Sequence, residues 1–205
     1  MAAPGSHYFA EEPTTESAPR DVSLLLPDMN LTLRTDRGVF GYNRIDAGTK
    51  LLLLKAPAAS ATGDLLDLGC GAGAIALTMA RRAPGATVWA IDVNERAREL
   101  CRSNAELNGV TNVRVCGPDE VPADVLFATI WSNPAIRIGK PALHEMLSSW
   151  FSRLADGGEA AMVVHKHLGG DSLQAWLTAQ GYPTERLASG SGYRILRSRR
   201  SLVSQ

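Results

Sequence analysis

The chain has 205 residues, 45% of them apolar and 20% charged, with a formal net charge of zero. That length sustains a medium-sized core, and the balanced charge argues against strong non-specific gripping of a bare phosphate backbone, which calls for excess Lys and Arg. The three cysteines, Cys70, Cys101 and Cys116, form no CxxC or Cys/His cluster, so no metal site is legible and they are read as reduced thiols serving as small buried hydrophobes.

Residues 1–20 are rich in Pro, Ala, Glu and Thr and lack a basic stretch followed by an apolar one, so they are no secretory signal. They are expected to form a partly ordered arm, with His7-Tyr8-Phe9 pinning it to the body. No apolar run approaches the ~20 residues of a membrane span, and the protein is expected to be soluble and cytoplasmic, with no membrane partner. Residues 21–200 are expected to form a single domain, followed by a tail at 201–205.

Residues 21–35 read as a hairpin. Alternating apolar positions (Val22, Leu24, Leu26, then Leu31 and Leu33) flank the turn residues Pro27-Asp28. Asp36-Arg37-Gly38 forms a second turn. Residues 46–54 read as a helix capped by Asp46. From Gly63 onward strands alternate with helices: strands at 65–68, 87–91, 113–116, 126–131 and 159–164, and helices at 74–82, 95–107, 141–154 and 172–180. Asn108-Gly109 stops the second of these helices, and Asp156-Gly157-Gly158 is expected to stop the third. Such alternation implies an α/β fold with a mostly parallel sheet covered on both faces. The last two strands, 184–188 and 193–198, are joined only by Ser189-Gly190-Ser191-Gly192, so they must pair antiparallel.

Asp67-Leu68-Gly69-Cys70-Gly71-Ala72-Gly73 lies between a strand and a helix. Glycines there admit close approach of a bulky ligand, and the helix offers free N–H groups. On its own this loop is ambiguous, because Gly69, Gly71 and Ala74 also satisfy the dinucleotide pattern of a nicotinamide enzyme. Asp67 tilts the reading. A carboxylate is repelled by a pyrophosphate but attracted by the ammonium of an amino-acid moiety. Asp92, at the end of the next strand, can accept both ribose hydroxyls, the alternative being a helix cap. Asp119, after the third strand, is positioned for an adenine amino group.

Ser132-Asn133-Pro134-Ala135 follows the fourth strand. The Asn133 side-chain carbonyl and the Pro134 backbone carbonyl supply two acceptors. Together they can hold an exocyclic amine with its lone pair aimed at a methyl group, a matter of positioning rather than of strong base.

With these residues in view the sequence resembles the class I methyltransferases, and more narrowly the methyltransferase small family, whose members include 16S rRNA guanine-N2 methyltransferases. The resemblance runs from about His7 to Ser198. It is carried by His7-Tyr8-Phe9, Gly38-Val39-Phe40, Asp46-Ala47-Gly48-Thr49, the glycine loop, residues 132–140 and Val164-His165-Lys166. It implies a Rossmann-like seven-stranded sheet with an antiparallel last strand, here preceded by the hairpin. It also implies S-adenosylmethionine as cofactor, bound by Asp67, Gly69, Gly71 and Asp92, with Phe40, Thr49 and Asn133 near its methionine end. Asn133 and Pro134 would hold the target amine. The family tetrapeptide is Asn-Pro-Pro followed by Phe or Tyr, or by Ile in a subgroup with an Ile-Arg-x-Gly-Lys continuation; here Ala135 replaces the second proline, and Ile136 cannot stack on a base as an aromatic would.

The acceptor implied is an exocyclic amine of ribosomal RNA, guanine N2 in particular. The neutral charge and altered tetrapeptide keep a small-molecule amine open as an alternative, and a non-catalytic methyltransferase-like module is a third reading. Arg137, Lys140 and Lys166 are candidates for substrate phosphates, as are the tail residues Arg197, Arg199 and Arg200. His165 and His167 are read as surface or supporting residues, and the four tryptophans as core.

Overall fold

The computed structural model describes residues 15–135, 138–167 and 169–200. The His7-Tyr8-Phe9 segment, Ile136, Arg137 and the tail 201–205 lie outside them.

A hairpin opens the described chain: β1 (Arg20–Leu26) pairs antiparallel with β2 (Met29–Thr35) about the Pro27-Asp28 turn. It forms its own two-stranded sheet. Leu24, Leu31 and Leu33 bury one face in the core. The outer edge of β2 is closed by two amides from helix α3 (Glu95–Leu107) and its C-cap. Asn104 accepts the Arg34 N–H at 2.7 Å and donates to the Arg34 carbonyl at 2.8 Å. One helical turn on, Asn108 does the same for Thr32, at 3.2 and 2.8 Å. Side chains thus take the place of a neighbouring strand.

Helix α1 (Ala47–Lys55) follows, with Asp46 as its N-cap. Next come β3 (Thr62–Leu68), α2 (Ala74–Arg82), β4 (Gly85–Ile91), α3 and β5 (Val113–Cys116). A 3-10 turn (Pro118–Glu120) leads on to β6 (Phe127–Ser132), α4 (Lys140–Phe151), β7 (Leu154–His165), α5 (Gly170–Ala179), β8 (Thr184–Gly190) and β9 (Tyr193–Arg199). The seven-stranded sheet has the order β5-β4-β3-β6-β7-β9-β8. Strands β3 to β7 run parallel, and β9 lies antiparallel between β7 and β8.

Alternation along each strand divides the core. Leu65, Val88, Trp131, Val163 and Ile195 face the side that carries the hairpin and α2. Their neighbours Leu66, Trp89, Ile130, Val164 and Leu196 face the side that carries α4. Trp89, Trp131 and Trp150 are buried, and Trp176 is half-buried and stacked on His144. Cys70 and Cys101 are buried free thiols, and Cys116 is half-buried.

The largest departure from the sequence reading lies where α4 gives way to β7. The helix expected to reach Leu154 ends at Phe151, and Leu154 begins β7, fully buried and paired with Phe127. Asp156-Gly157-Gly158 therefore stops no helix. It forms a bulge inside β7, where the register jumps from Phe127–Leu154 to Thr129–Glu159. A Cβ at Gly158 would lie 2.9 Å from the Ala155 and Phe127 carbonyl oxygens, so only glycine fits the bulge.

The chain runs outward from β3 through β4 to β5, then crosses back to β6 on the other side of β3. This reversal opens a crevice beyond the carboxyl ends of β3 and β6, where open α/β sheets hold ligands. Among the described residues no helix is long and apolar enough to cross a membrane.

Candidate active site

The loop after β3 is fixed from beneath. Gly69 and Cys70 both donate their N–H to the Ile91 carbonyl at 2.9 Å. Gly69, Gly71 and Gly73 have φ of +83°, +52° and +91°, a region that strains other residues. Gly73 is also sterically required, since a Cβ there would lie 2.8 Å from Cys101 Sγ and 2.9 Å from Leu77 Cδ1. Nothing lies within 4 Å of a Cβ at Gly69, so that glycine serves the backbone and leaves open space above it.

Asp67 is fully buried. Its Oδ2 accepts the Ala76 N–H at 2.8 Å, supplying the capping interaction that Gly73, the N-cap of α2, has no side chain to make. Among the described residues its Oδ1 has no hydrogen-bond partner. Burial pushes the carboxyl up to about 8, with a smaller contribution in the same direction from the Asp92 charge.

Asp92 follows β4. Its two oxygens accept the Gly71 N–H at 2.9 Å and the Asn94 N–H at 3.0 Å. Burial raises its carboxyl above the usual range, against these two bonds and the Arg98 charge. Asp92 does not cap α3. Asn94 does, accepting from the Ala97 N–H while its amide donates to the Gly38 carbonyl. The same residue thereby holds the Gly38-Val39-Phe40 loop close to the glycine loop.

Asn133 follows β6. Its Nδ2 donates to Thr49 Oγ1 at 2.9 Å and to Asp46 Oδ2 at 3.1 Å. Thr49, Phe40, Gly69, Gly71 and Asn133 line one cleft. Leu33 and Thr35 of the hairpin and Asp46 complete it. Phe40 stands half exposed at 50%. Pro134 is buried beside the cleft, outside its lining, and Asp119 lies exposed in the 3-10 turn beyond β5.

The sequence marks Asp46 as a helix cap and as part of the stretch 46–49 shared with the family, and carries no signal for Tyr193. The structure joins both to Asn133, for the Tyr193 hydroxyl donates to Asp46 Oδ1 at 3.2 Å. His165 packs edge-on against the Tyr193 ring, with centroids 5.2 Å apart, and accepts the His167 N–H. The C-terminal arginines are drawn into ion pairs: Arg197 and Arg199 with Glu159 and Glu185, and Arg200 with Asp156.

A parallel sheet with one antiparallel strand beside its edge, a glycine loop after the first sheet strand and an Asn-Pro after the fourth define a Rossmann-like methyltransferase. Residues 30–197 match the model of the methyltransferase small domain family. The chain belongs to this family, and so to the methyltransferases that draw their methyl group from S-adenosylmethionine. It is 34% identical over 197 residues to the Bacillus subtilis protein YbxB, covering 95% of this chain and 98% of that one. It is 33% identical over 196 residues to ribosomal RNA small subunit methyltransferase C of Pseudomonas aeruginosa, covering 93% of this chain and 57% of the relative's length. The fold is similar to that of the T. thermophilus 16S rRNA N2 G1207 methyltransferase in complex with AdoMet and guanosine. There the TM-score is 0.77 and the identity 21%, over 92% of this chain and 52% of that one.

The residues present suit this cofactor. A buried carboxylate oxygen without a partner suits a ligand that brings positive charge. The left-handed glycines with open space above Gly69 suit close approach to backbone.

Proposed function

We propose that the protein transfers a methyl group to an exocyclic amine of ribosomal RNA, guanine N2 being the leading acceptor. The observation that carries this reading is that Asn133 lines the same cleft as the glycine loop, its amide nitrogen already engaged. Among the described residues the Asn133 carbonyl oxygen accepts no hydrogen bond, so it is available to an amine. The Pseudomonas relatives named as ribosomal RNA methyltransferases support the choice of RNA, although this chain spans 57% of their length.

In this reading Asp67 favours the amino-acid end of the cofactor, and Gly69 and Gly71 bring backbone against it. Phe40 and Thr49 stand at its methionine end. Asp92 accepts the ribose hydroxyls, and Asp119 meets the adenine amino group. When bound, the cofactor supplies an electrophilic methyl group on sulfur. Asn133 Oδ1 and the Pro134 carbonyl each accept one N–H of the target amine and so aim its lone pair. The amine so held would take the methyl group that the cofactor supplies and release its own proton to solvent. Holding the amine in line is the protein's main contribution.

The test is transfer of labelled methyl from S-adenosylmethionine to small ribosomal subunits from a strain lacking the gene. Incorporation that disappears with Asn133→Ala supports the reading, and mapping the modified nucleotide tests guanine N2. No incorporation, together with tight S-adenosylhomocysteine binding, would redirect the search to small-molecule amines.

A further inference from the structure

The segment Asp46-Ala47-Gly48-Thr49 is more than the start of a helix. Two of its four residues, Asp46 and Thr49, meet around one side chain that lies far away in sequence. Asp46 Oδ2 accepts the Thr49 N–H at 3.0 Å and the Asn133 amide at 3.1 Å. Thr49 Oγ1 takes the same amide nitrogen at 2.9 Å. Asp46 Oδ1 is held by the Tyr193 hydroxyl at 3.2 Å. Gly48 has no left-handed φ, so the backbone does not require glycine there. Space does, because a Cβ would lie 2.8 Å from Asp46 Oδ2 and 2.8 Å from Tyr193 Cδ1 and Cε1.

The chemistry of these partners decides which way the Asn133 amide faces. An ionised carboxylate accepts only, so Asn133 must turn its NH₂ toward Asp46. The carbonyl oxygen is then directed away from the bracket. A free asparagine amide can flip between its two orientations. Flipped, it would present donors to a donor amine and set its carbonyl oxygen against the Asp46 carboxylate.

We propose that Asp46, Thr49 and Tyr193 are positioning residues that lock the Asn133 amide with its carbonyl toward the methyl acceptor, and that Gly48 is the gap that admits Tyr193 to this bracket. None of the three is assigned contact with the reacting atoms. The proposal rests on the reading of Asn133 as the amine holder.

Serine at position 46 separates this role from helix capping. It caps helices well, but its hydroxyl is too short to reach Asn133 as well. Asparagine at 46 preserves the bracket: its carbonyl oxygen serves Thr49 N–H and Asn133, and its amide donates to the Tyr193 oxygen, which turns from donor to acceptor.

The experiment has two arms. In the first, the Asn133 side-chain amide is followed by nitrogen-15 NMR and assigned by its loss in Asn133→Ala. In the intact protein it is expected to show two well-separated, slowly exchanging protons. In Asp46→Ser with Thr49→Val it should move to the shifts of a free amide. In the second arm, methyl transfer to small ribosomal subunits is measured beside calorimetric binding of S-adenosylhomocysteine. Asp46→Ser is expected to lower kcat roughly tenfold to a hundredfold, the scale for misplacing a reacting group. Because Asp46 also lines the cleft, kcat is read at S-adenosylmethionine saturating for each variant, and the S-adenosylhomocysteine Kd measured beside it separates loss of cofactor affinity from loss of amine positioning. Asp46→Asn should restore most of the loss, and Gly48→Ala should reproduce it.

A free-amide signature for Asn133 in the intact protein overturns the proposal. So does full kcat in Asp46→Ser when Asn133→Ala is inactive, an outcome that leaves the amine-holding reading intact. Full activity in Asn133→Ala overturns both.

Discussion

The Asp67 carboxylate reaches across the glycine loop to the Ala76 N–H at 2.8 Å, tying the end of β3 to the first turn of α2. The bond fixes the loop between them, yet it engages only one oxygen of a fully buried acid. The residue is therefore both a staple for the loop and a carboxylate suited to a positively charged ligand.

A pH dependence follows. The Asp67 carboxyl is pushed from its ordinary 3.8 up to about 8 by burial. Between those values the folded protein holds a proton that the unfolded chain has released, so stability falls as pH rises through that window. The penalty is absent below the unfolded value and complete above the folded one. Asp67→Asn keeps an acceptor for Ala76, so it should flatten the dependence of the urea midpoint between about pH 5 and pH 9. Above about pH 8, where Asp67 is ionised in the free protein, the same variant should weaken S-adenosylhomocysteine binding at least roughly tenfold, since it removes the charge offered to an ammonium. Unchanged affinity would remove Asp67 from the cofactor site.

Asn104 is predicted to be the main tie between hairpin and body. It is fully buried and makes three bonds, to the Arg34 N–H and the Arg34 and Ala72 carbonyls. Asn104→Ala leaves these groups unpaired and should cost about 2–4 kcal/mol, read from urea unfolding. Because Ala72 belongs to the glycine loop, cofactor affinity should fall as well.

Gly73→Ala is expected to destabilise by about 2 kcal/mol or more, combining left-handed strain with the contact on Cys101 and Leu77. Gly69→Ala meets no atom, so it carries only the backbone strain. A larger loss of stability at 69 than at 73 would reverse this assignment.

Among the cations, Lys140 is exposed at the start of α4, with no ion pair among the described residues, whereas Arg199 is paired with Glu159 and Glu185. If RNA is the substrate, Lys140→Ala should reduce the salt slope of RNA binding by about one. Arg199→Ala should leave it unchanged. Equal slopes would place the RNA elsewhere on the surface.

Much of the fold was legible because local signals agreed. The limits of α2 and α3 coincide with the sequence reading, and the Pro27-Asp28 turn sits where the alternation breaks. The β7 bulge was not legible, since a glycine doublet after a helix and one inside a strand look alike until Leu154 is seen pairing with Phe127. Of the site, the glycine loop and Asn133 could be read because each keeps its motif in a short stretch. Asp46 was visible as a helix cap and as the first residue of a stretch shared with the family, but neither signal shows its contact with Asn133. Its second role depends on Asn133 and on Tyr193, which β9 delivers from the far end of the chain. The involvement of Leu33 and Thr35 was hidden for the same reason, because the hairpin precedes the sheet and shares no strand pairing with it.

That separation has a consequence for ligand exchange. A two-stranded ribbon is only marginally stable alone, and this one is held by a patch of leucines, two amides and the Arg82–Asp28 ion pair at its turn rather than by the sheet's ladder. It can detach as a sub-global unit while the sheet persists. Since its residues form one wall of the cleft, detachment would unmake the binding site without unfolding the protein. Ligand affinity and the hairpin's opening equilibrium are then linked quantities. A ligand filling the cleft must slow amide exchange in β1 and β2 by the factor with which it favours the closed form, making the hairpin a reporter of cofactor occupancy.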